Sequence, residues 1–431
     1  MSTGQTGFSD LENAEALETH IGVANLLKGP QGVYRFDGSV FCRMSSPELR
    51  AVALQVLSGR EKRVQAARLT GMVTVFESLN YDPELQFELG DPNILALEDG
   101  YYEPTLFGWN RAKPNRALQR RIKIPAKYVD SVPVAFEQFL ADVLCDEQGE
   151  PYPDAARIKT LIYQMLGYIL VSHARFEKLF FLVGPGANGK SVLCKVAKAM
   201  VGSSNCSAVQ LDQLNNTFQR SHLDGKLLNL ITELDQQAQI DDGALKAVVS
   251  GEVMTVEEKF QSPREIEPFA TLLVATNHMP RLRDFSDGVY RRAIVIPLRR
   301  QFLGAEADPT LLERLVGELD AITSRAMDAL LGLIQNRGQF STSPTTDAAL
   351  QTWRHDNDQI ARFREENLID DLGKSATQAQ AYTRYQVWRQ RSGIKGEIGE
   401  RQFGTRLEAV GVRRARRAEG QILLDVSLAE C

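Results

Sequence analysis

Apolar residues recur along this chain in two rhythms, and each predicts a different kind of element. Between residues 133 and 175 they fall at helical spacing, first as Phe136, Phe139, Leu140 and Val143, then as Ile162, Met165, Leu166, Ile169 and Leu170. A helical bundle is predicted there. Between 176 and 300 compact apolar runs alternate with helical stretches. Leu179–Val183, Leu227–Thr232, Thr271–Thr276 and Ala293–Pro297 read as buried strands of an α/β core with a parallel sheet. Residues 305–340 return to the helical period, and Ser341–Thr346 reads as a linker. Before the bundle the pattern is mixed. A helix or two is predicted in 1–30, two short strands around the turn Asp37-Gly38, and a strand at Asn93–Leu97 entering a turn at Glu98–Gly100.

Chemistry gathers at the ends of the apolar runs. The first is followed at once by Gly184, Pro185, Gly186, Ala187, Asn188, Gly189, Lys190 and Ser191, a full G-x-x-x-x-G-K-[ST] match. Glycines let backbone N–H groups wrap phosphates, and the following helix adds partial positive charge. Lys190 is expected to neutralise the outer phosphates of ATP and Ser191 to complete a Mg²⁺ shell. The second run ends at Glu233, the candidate general base or water positioner and second metal ligand. Asp235, two residues on, reads as a solvated acid. Asn277 closes the third run, placed to hold the γ-phosphate or the attacking water, whereas His278 reads as structural. Arg291 and Arg292 precede the fourth run as candidates for transition-state charge on a neighbouring subunit's ATP. The acidic run is expected beside the first, with the Asn277 run between.

Composition adds less. The net charge is −5 over 431 residues, and five cysteines lie scattered without a CxxC pair. A zinc or disulfide framework is therefore not expected, and a reducing cytoplasmic setting is. No apolar run is long enough to span a membrane. Charge is instead local. Residues 109–127 hold seven basic residues and no acid, readable as a solvated loop or a phosphate contact. Residues 254–266 read as a hairpin with Lys259 and Phe260 near its tip, a pairing suited to phosphate and base. From Arg384 to Arg417 ten basic residues face three acidic ones, a net +7. Arg413, Arg414, Arg416 and Arg417 are expected in a turn before a strand at 422–424, contacting DNA or docking a partner.

In this order GPGANGKS, LLNLITELD, SGEVMTVEEKFQSP, LLVATNHMP and DGVYRRAIVIPL resemble the superfamily III, AAA+-like helicase portion of phage and plasmid primase–helicases, including the poxvirus group. The resemblance also takes in 93–104, the helical stretch to His173, and Tyr382, Tyr385, Trp388, Phe403, Leu407 and Gly411 of a winged-helix-like region. It implies a P-loop AAA+-like core at 176–300, a mixed domain at 1–130, a helical collar at 131–175, a helical segment and linker at 301–345, and a winged-helix-like domain at 346–431. It further implies a hexameric ring with Lys190, Ser191, Glu233 and Asn277 acting in cis and Arg291 or Arg292 in trans. Lys259 and Phe260 would lie in the pore on single-stranded DNA of a forked duplex, with 3′ to 5′ translocation. No primase pattern stands out, so a separately encoded primase or polymerase is expected as partner. A DNA-stimulated loader or remodeller is the second reading. A small-molecule kinase is the third, disfavoured because a kinase needs no arginine in trans.

Overall fold

The structure, a computed structural model, describes residues 8–61, 63–234, 239–259, 261–282, 287–393, 398–418 and 420–429. The chain begins with α1 (Asp10–Ile21), started by a capping box in which Ser9 and Glu12 exchange side-chain and backbone bonds. An antiparallel sheet follows, β1 (Leu26–Gly29), β2 (Gly32–Phe36) and β3 (Phe41–Arg43), then α2 (Ser46–Arg60) and α3 (Ala66–Ser78). Ala14, Leu17, Leu57, Met72 and Phe76 form a small core of their own. A second antiparallel sheet, β4 (Leu95–Leu97), β5 (Gly100–Pro104) and β6 (Trp109–Ala112), instead packs Leu95, Leu97 and Tyr102 into the main core. The first 130 residues are thus two units. The basic stretch 109–127 is largely spent internally: Arg120 is buried on Glu88 at 3.1 Å and Arg121 pairs with Asp224 at 2.8 Å.

The collar is α4 (Val134–Val143) and α5 (Ala155–Tyr168), both amphipathic. The core runs through β7 (Leu179–Val183), α6 (Lys190–Val201), β8 (Cys206–Ser207), α7 (Thr217–Arg220), β9 (Leu228–Ile231), β10 (Gln239–Ile240) and α8 (Asp242–Ser250). It continues with β11 (Met254–Val256), β12 (Arg264–Ile266), β13 (Thr271–Thr276), β14 (Arg281–Leu282), α9 (Asp287–Tyr290) and β15 (Ala293–Pro297). One five-stranded parallel sheet has the order β15-β7-β13-β9-β8. Every residue of β13 is buried, as its place at the centre of a two-faced sheet demands. The Asn277 strand β13 lies between β7 and the acidic strand β9, as expected for it, so β9 is not the immediate neighbour of β7.

After α10 (Leu311–Gly317) and α11 (Leu319–Gln335) comes α12 (Pro344–Asn357). The predicted linker is not one. Ser343 caps α12, and both Ser343 and Thr345 bond Asp154 at the head of α5. Further along α12, Trp353 lies fully inside the core against Phe181 and Tyr290. The last unit therefore starts near 358, not 346. It comprises α13 (Gln359–Asn367), β16 (Leu368–Thr377), α14 (Gln378–Arg391), α15 (Glu400–Ala409), β17 (Arg414–Arg417) and β18 (Gly420–Leu428), packed around Phe363, Tyr385 and Phe403. Among the described residues no helix is long and apolar enough to cross a membrane.

Candidate nucleotide site and nucleic-acid elements

The loop between β7 and α6 is shaped by three backbone constraints. Ala187 and Gly189 take positive φ angles of 56° and 87°. At Gly184 a Cβ would stand 1.9 Å from the Leu298 carbonyl oxygen, and at Gly189 one would stand 2.7 Å from Val143 Cγ1 of the collar. These glycines are therefore required by close approach, not by turn formation alone. Gly184→Ala should lose about 3 kcal/mol of stability and nucleotide binding with it. Gly186→Ala, where a Cβ meets nothing within 4 Å, should melt like the wild type in the same scan.

Lys190 is only 6% exposed. Its ammonium donates to the carbonyls of Gly184 and Pro185 at 2.7 Å each and to Asn188 Oδ1 at 3.0 Å. Burial lowers its pKa. Asn188 is itself pinned by donating to the Leu298 carbonyl at 2.5 Å. The N-cap of α6 is Gly189, which supplies no side-chain acceptor to the first helical N–H groups. Ser191 is exposed beside them. This donor set suits phosphate oxygens.

The strand register brings the other ends to this loop. Thr276 pairs with Val183 on one side, and Val274 pairs with Ile231 on the other. Asn277 and Glu233, one and two residues beyond their strands, are both exposed at the same sheet edge. Asn277, Gly184 and Pro185 line one open cleft of about 860 Å³. Asp235 lies outside the described residues. Among the described residues no group of three or more His, Cys, Asp or Glu could hold a metal alone.

Sequence reasoning missed a second cleft, on the opposite flank of the loop. It measures about 360 Å³ and is lined by Phe139 and Val143 of α4, Ala187, Val192, Phe302 and Leu311. Phe302 is fixed there by donating its N–H to the Ala187 carbonyl at 2.7 Å. Its walls are mostly apolar, as a base-sized ligand requires. No motif marks Phe302, because its role arises only from this backbone contact.

The two arginines before β15 are not equivalent. Arg292 is 8% exposed and engaged within its own subunit, with Glu177 at 2.6 Å, Ser250 Oγ at 2.9 Å and the Gly288 carbonyl at 2.9 Å. These contacts make Arg292 an internal strut of its own chain. Arg291 is exposed.

The hairpin of β11 and β12 is present, with Lys259 exposed at its tip; Phe260 lies outside the described residues. The basic cluster is not in a turn: Arg414–Arg417 form strand β17, paired with β18, and Arg413 directly precedes it. Arg413 pairs with Asp425 and Arg414 with Glu408, and Arg416 and Arg417 are exposed. Of the ten basic residues counted here, Lys395 lies outside the described residues.

A domain family described as of unknown function, DUF5906, matches residues 182–292, and one described as Poxvirus D5 protein-like matches 355–412. The helicase-named protein 121R of Invertebrate iridescent virus 3 is 21% identical over 255 residues, covering 56% of this chain and 27% of that protein. The helicase-named protein 022R of Frog virus 3 is 22% identical over 246 residues, covering 51% of this chain and 25% of its own length. The match thus spans about a quarter of these curated relatives. Among solved structures, the apo C-terminal region of NrS-1 superposes with a TM-score of 0.54 at 12% identity, covering 96% of this chain and 100% of that one. A second form of the same region gives 0.52. At that identity the likeness is one of fold.

Proposed function

We propose that this chain, a relative of the primase–helicase group, is the ATPase motor of a superfamily III DNA helicase, working as a hexameric ring in replication of a phage, plasmid or other mobile element. The observation that carries the reading is the convergence of Lys190, Glu233 and Asn277 on one edge of a sheet ordered β15-β7-β13-β9-β8. Lys190 and the N-terminal amides of α6 would hold the triphosphate, and the cleft beside Phe302 the base. A Mg²⁺ ion would be held by Ser191 and Glu233 and would offset phosphate charge. Glu233 would take the proton of the attacking water while the Asn277 amide orients it. An exposed Arg291 from an adjoining subunit would complete the charge stabilisation.

Lys259 would grip one strand in the ring's pore, as its place at the tip of a hairpin inserted between β9 and β13 suggests. Unwinding of a forked duplex with ATP and Mg²⁺ tests this. Lys259→Ala should keep the DNA-independent ATPase within about twofold and lose most stimulation by single-stranded DNA, with unwinding down at least about tenfold. Normal unwinding by this variant would refute the pore assignment. Stimulated hydrolysis by the wild type without strand displacement would favour the loader reading.

A further inference from the structure

The N-terminal unit has no part in the chemistry above, yet its sheet forms one wall of an open cleft of about 540 Å³ whose other wall is the hairpin base. At its floor Asp224 accepts from Arg121 at 2.8 Å and forms an ion pair at 2.9 Å with Arg264, the first residue of β12. Burial alone would raise the Asp224 carboxyl, but the two guanidiniums hold it below the usual carboxylate value. Glu258 takes the other Arg264 nitrogen at 2.9 Å, so two carboxylates match these two guanidiniums; across the whole lining the cations Arg43, Arg121, Lys123, Lys226 and Arg264 still outnumber the carboxylates Asp37, Asp224 and Glu258. The Nε–H groups of both Arg121 and Arg264 are buried without an acceptor, an unmet demand in a wet, charged site. Arg43 and Lys123 add two more cations to the lining and form no ion pair among the described residues. The hairpin-tip residues Glu258 and Gln261, flanking Lys259, reach the same cleft.

We propose that this cleft is a second phosphodiester-binding track, in which Arg43, Lys123, Arg121 and Arg264 hold the backbone of the strand that Lys259 engages. The proposal rests on the helicase reading and gives residues 26–43 a role in it. A strand gripped only at a hairpin tip is free to swing when that tip moves; a fixed cradle beside the hairpin base keeps it in line between steps. The ligand is a phosphodiester chain. A free phosphate shares its chemistry, and the test separates the two.

Arg43→Ala/Lys123→Ala removes the two rim cations and spares the buried network that fastens the unit. Binding of a labelled single-stranded oligonucleotide by the full-length double variant should weaken about tenfold, and the slope of log affinity against log salt should fall by about 1.4, the loss of two contacts to a single strand. Its melting temperature and DNA-independent ATPase should match the wild type. Unchanged affinity and slope in the variant, with a wild type that binds, would overturn the track alone. A wild type that binds no single strand would overturn the track and the helicase reading together. If the variant loses only a thermal shift induced by inorganic phosphate, with DNA affinity intact, the cleft is a free-anion site and the track is wrong.

Discussion

Lys190→Ala is expected to lower ATP turnover by about 10²–10³-fold, the loss seen when one preorganised charge-stabilising donor is removed, while leaving the fold in place. The ammonium sits inside a concave loop, held by three oxygens of that loop and shielded from water. A charge so placed acts on an outer phosphate with little screening. Its present acceptors are loop carbonyls and one amide, so truncation orphans no buried charge, and the melting temperature should shift little. Lys190→Arg should fail nearly as badly, because a planar fork does not fit where a compact ammonium on a flexible stem does. Steady-state hydrolysis with and without single-stranded DNA, beside a nucleotide-induced thermal shift, measures both halves. Turnover within twofold of wild type would remove the loop from catalysis.

What could be read in advance follows a physical line. Runs such as Leu179–Val183 and Thr271–Thr276 were legible because a strand buried on both faces must be apolar throughout. The phosphate loop was legible because backbone proximity admits only glycine at Gly184 and Gly189. The central place of the Asn277 strand was read, but the places of the outer strands β15 and β8 were not, since they depend on pairings far apart in the chain, such as Ile294 with Phe180. Ser341–Thr346 misled for a local reason: the Ser and Thr that mark loops are the same residues that cap helices, and Ser343 caps α12. Likewise Arg120 and Arg121 resemble a basic surface in sequence, and only the fold reveals Glu88 and Asp224 beneath them. The Phe302 cleft left no trace at all, because a phenylalanine is ordinary until a particular backbone N–H fixes it beside the phosphate loop.

Arg291→Ala should reduce hydrolysis about 10³-fold or more, the range for an arginine supplied from a neighbouring subunit, with ATP affinity and melting temperature near wild type. Arg292→Ala should do the reverse in kind, costing about 1–3 kcal/mol of stability through the lost hydrogen bonds of its buried guanidinium and its half-exposed pair with Glu177. The reason lies in adjacent residues facing opposite ways where the chain enters an extended strand. The Arg292 carbonyl accepts from Leu179 N–H at 3.0 Å, which locks the entry of β15 to that of β7. Its guanidinium turns inward to Glu177 and to Ser250 at the end of α8, the helix just before the hairpin. Arg291 is left facing solvent, the placement that the proposed ring requires of it. Mixing settles the point. Arg291→Ala subunits titrated into wild type should poison hydrolysis more steeply than their fraction, because each variant disables a neighbour's otherwise intact site. Folded Arg292→Ala protein, assayed well below its melting temperature, should dilute activity in proportion. If Arg291→Ala also follows simple proportion, no charge crosses between subunits, and the ring motor loses its coupling.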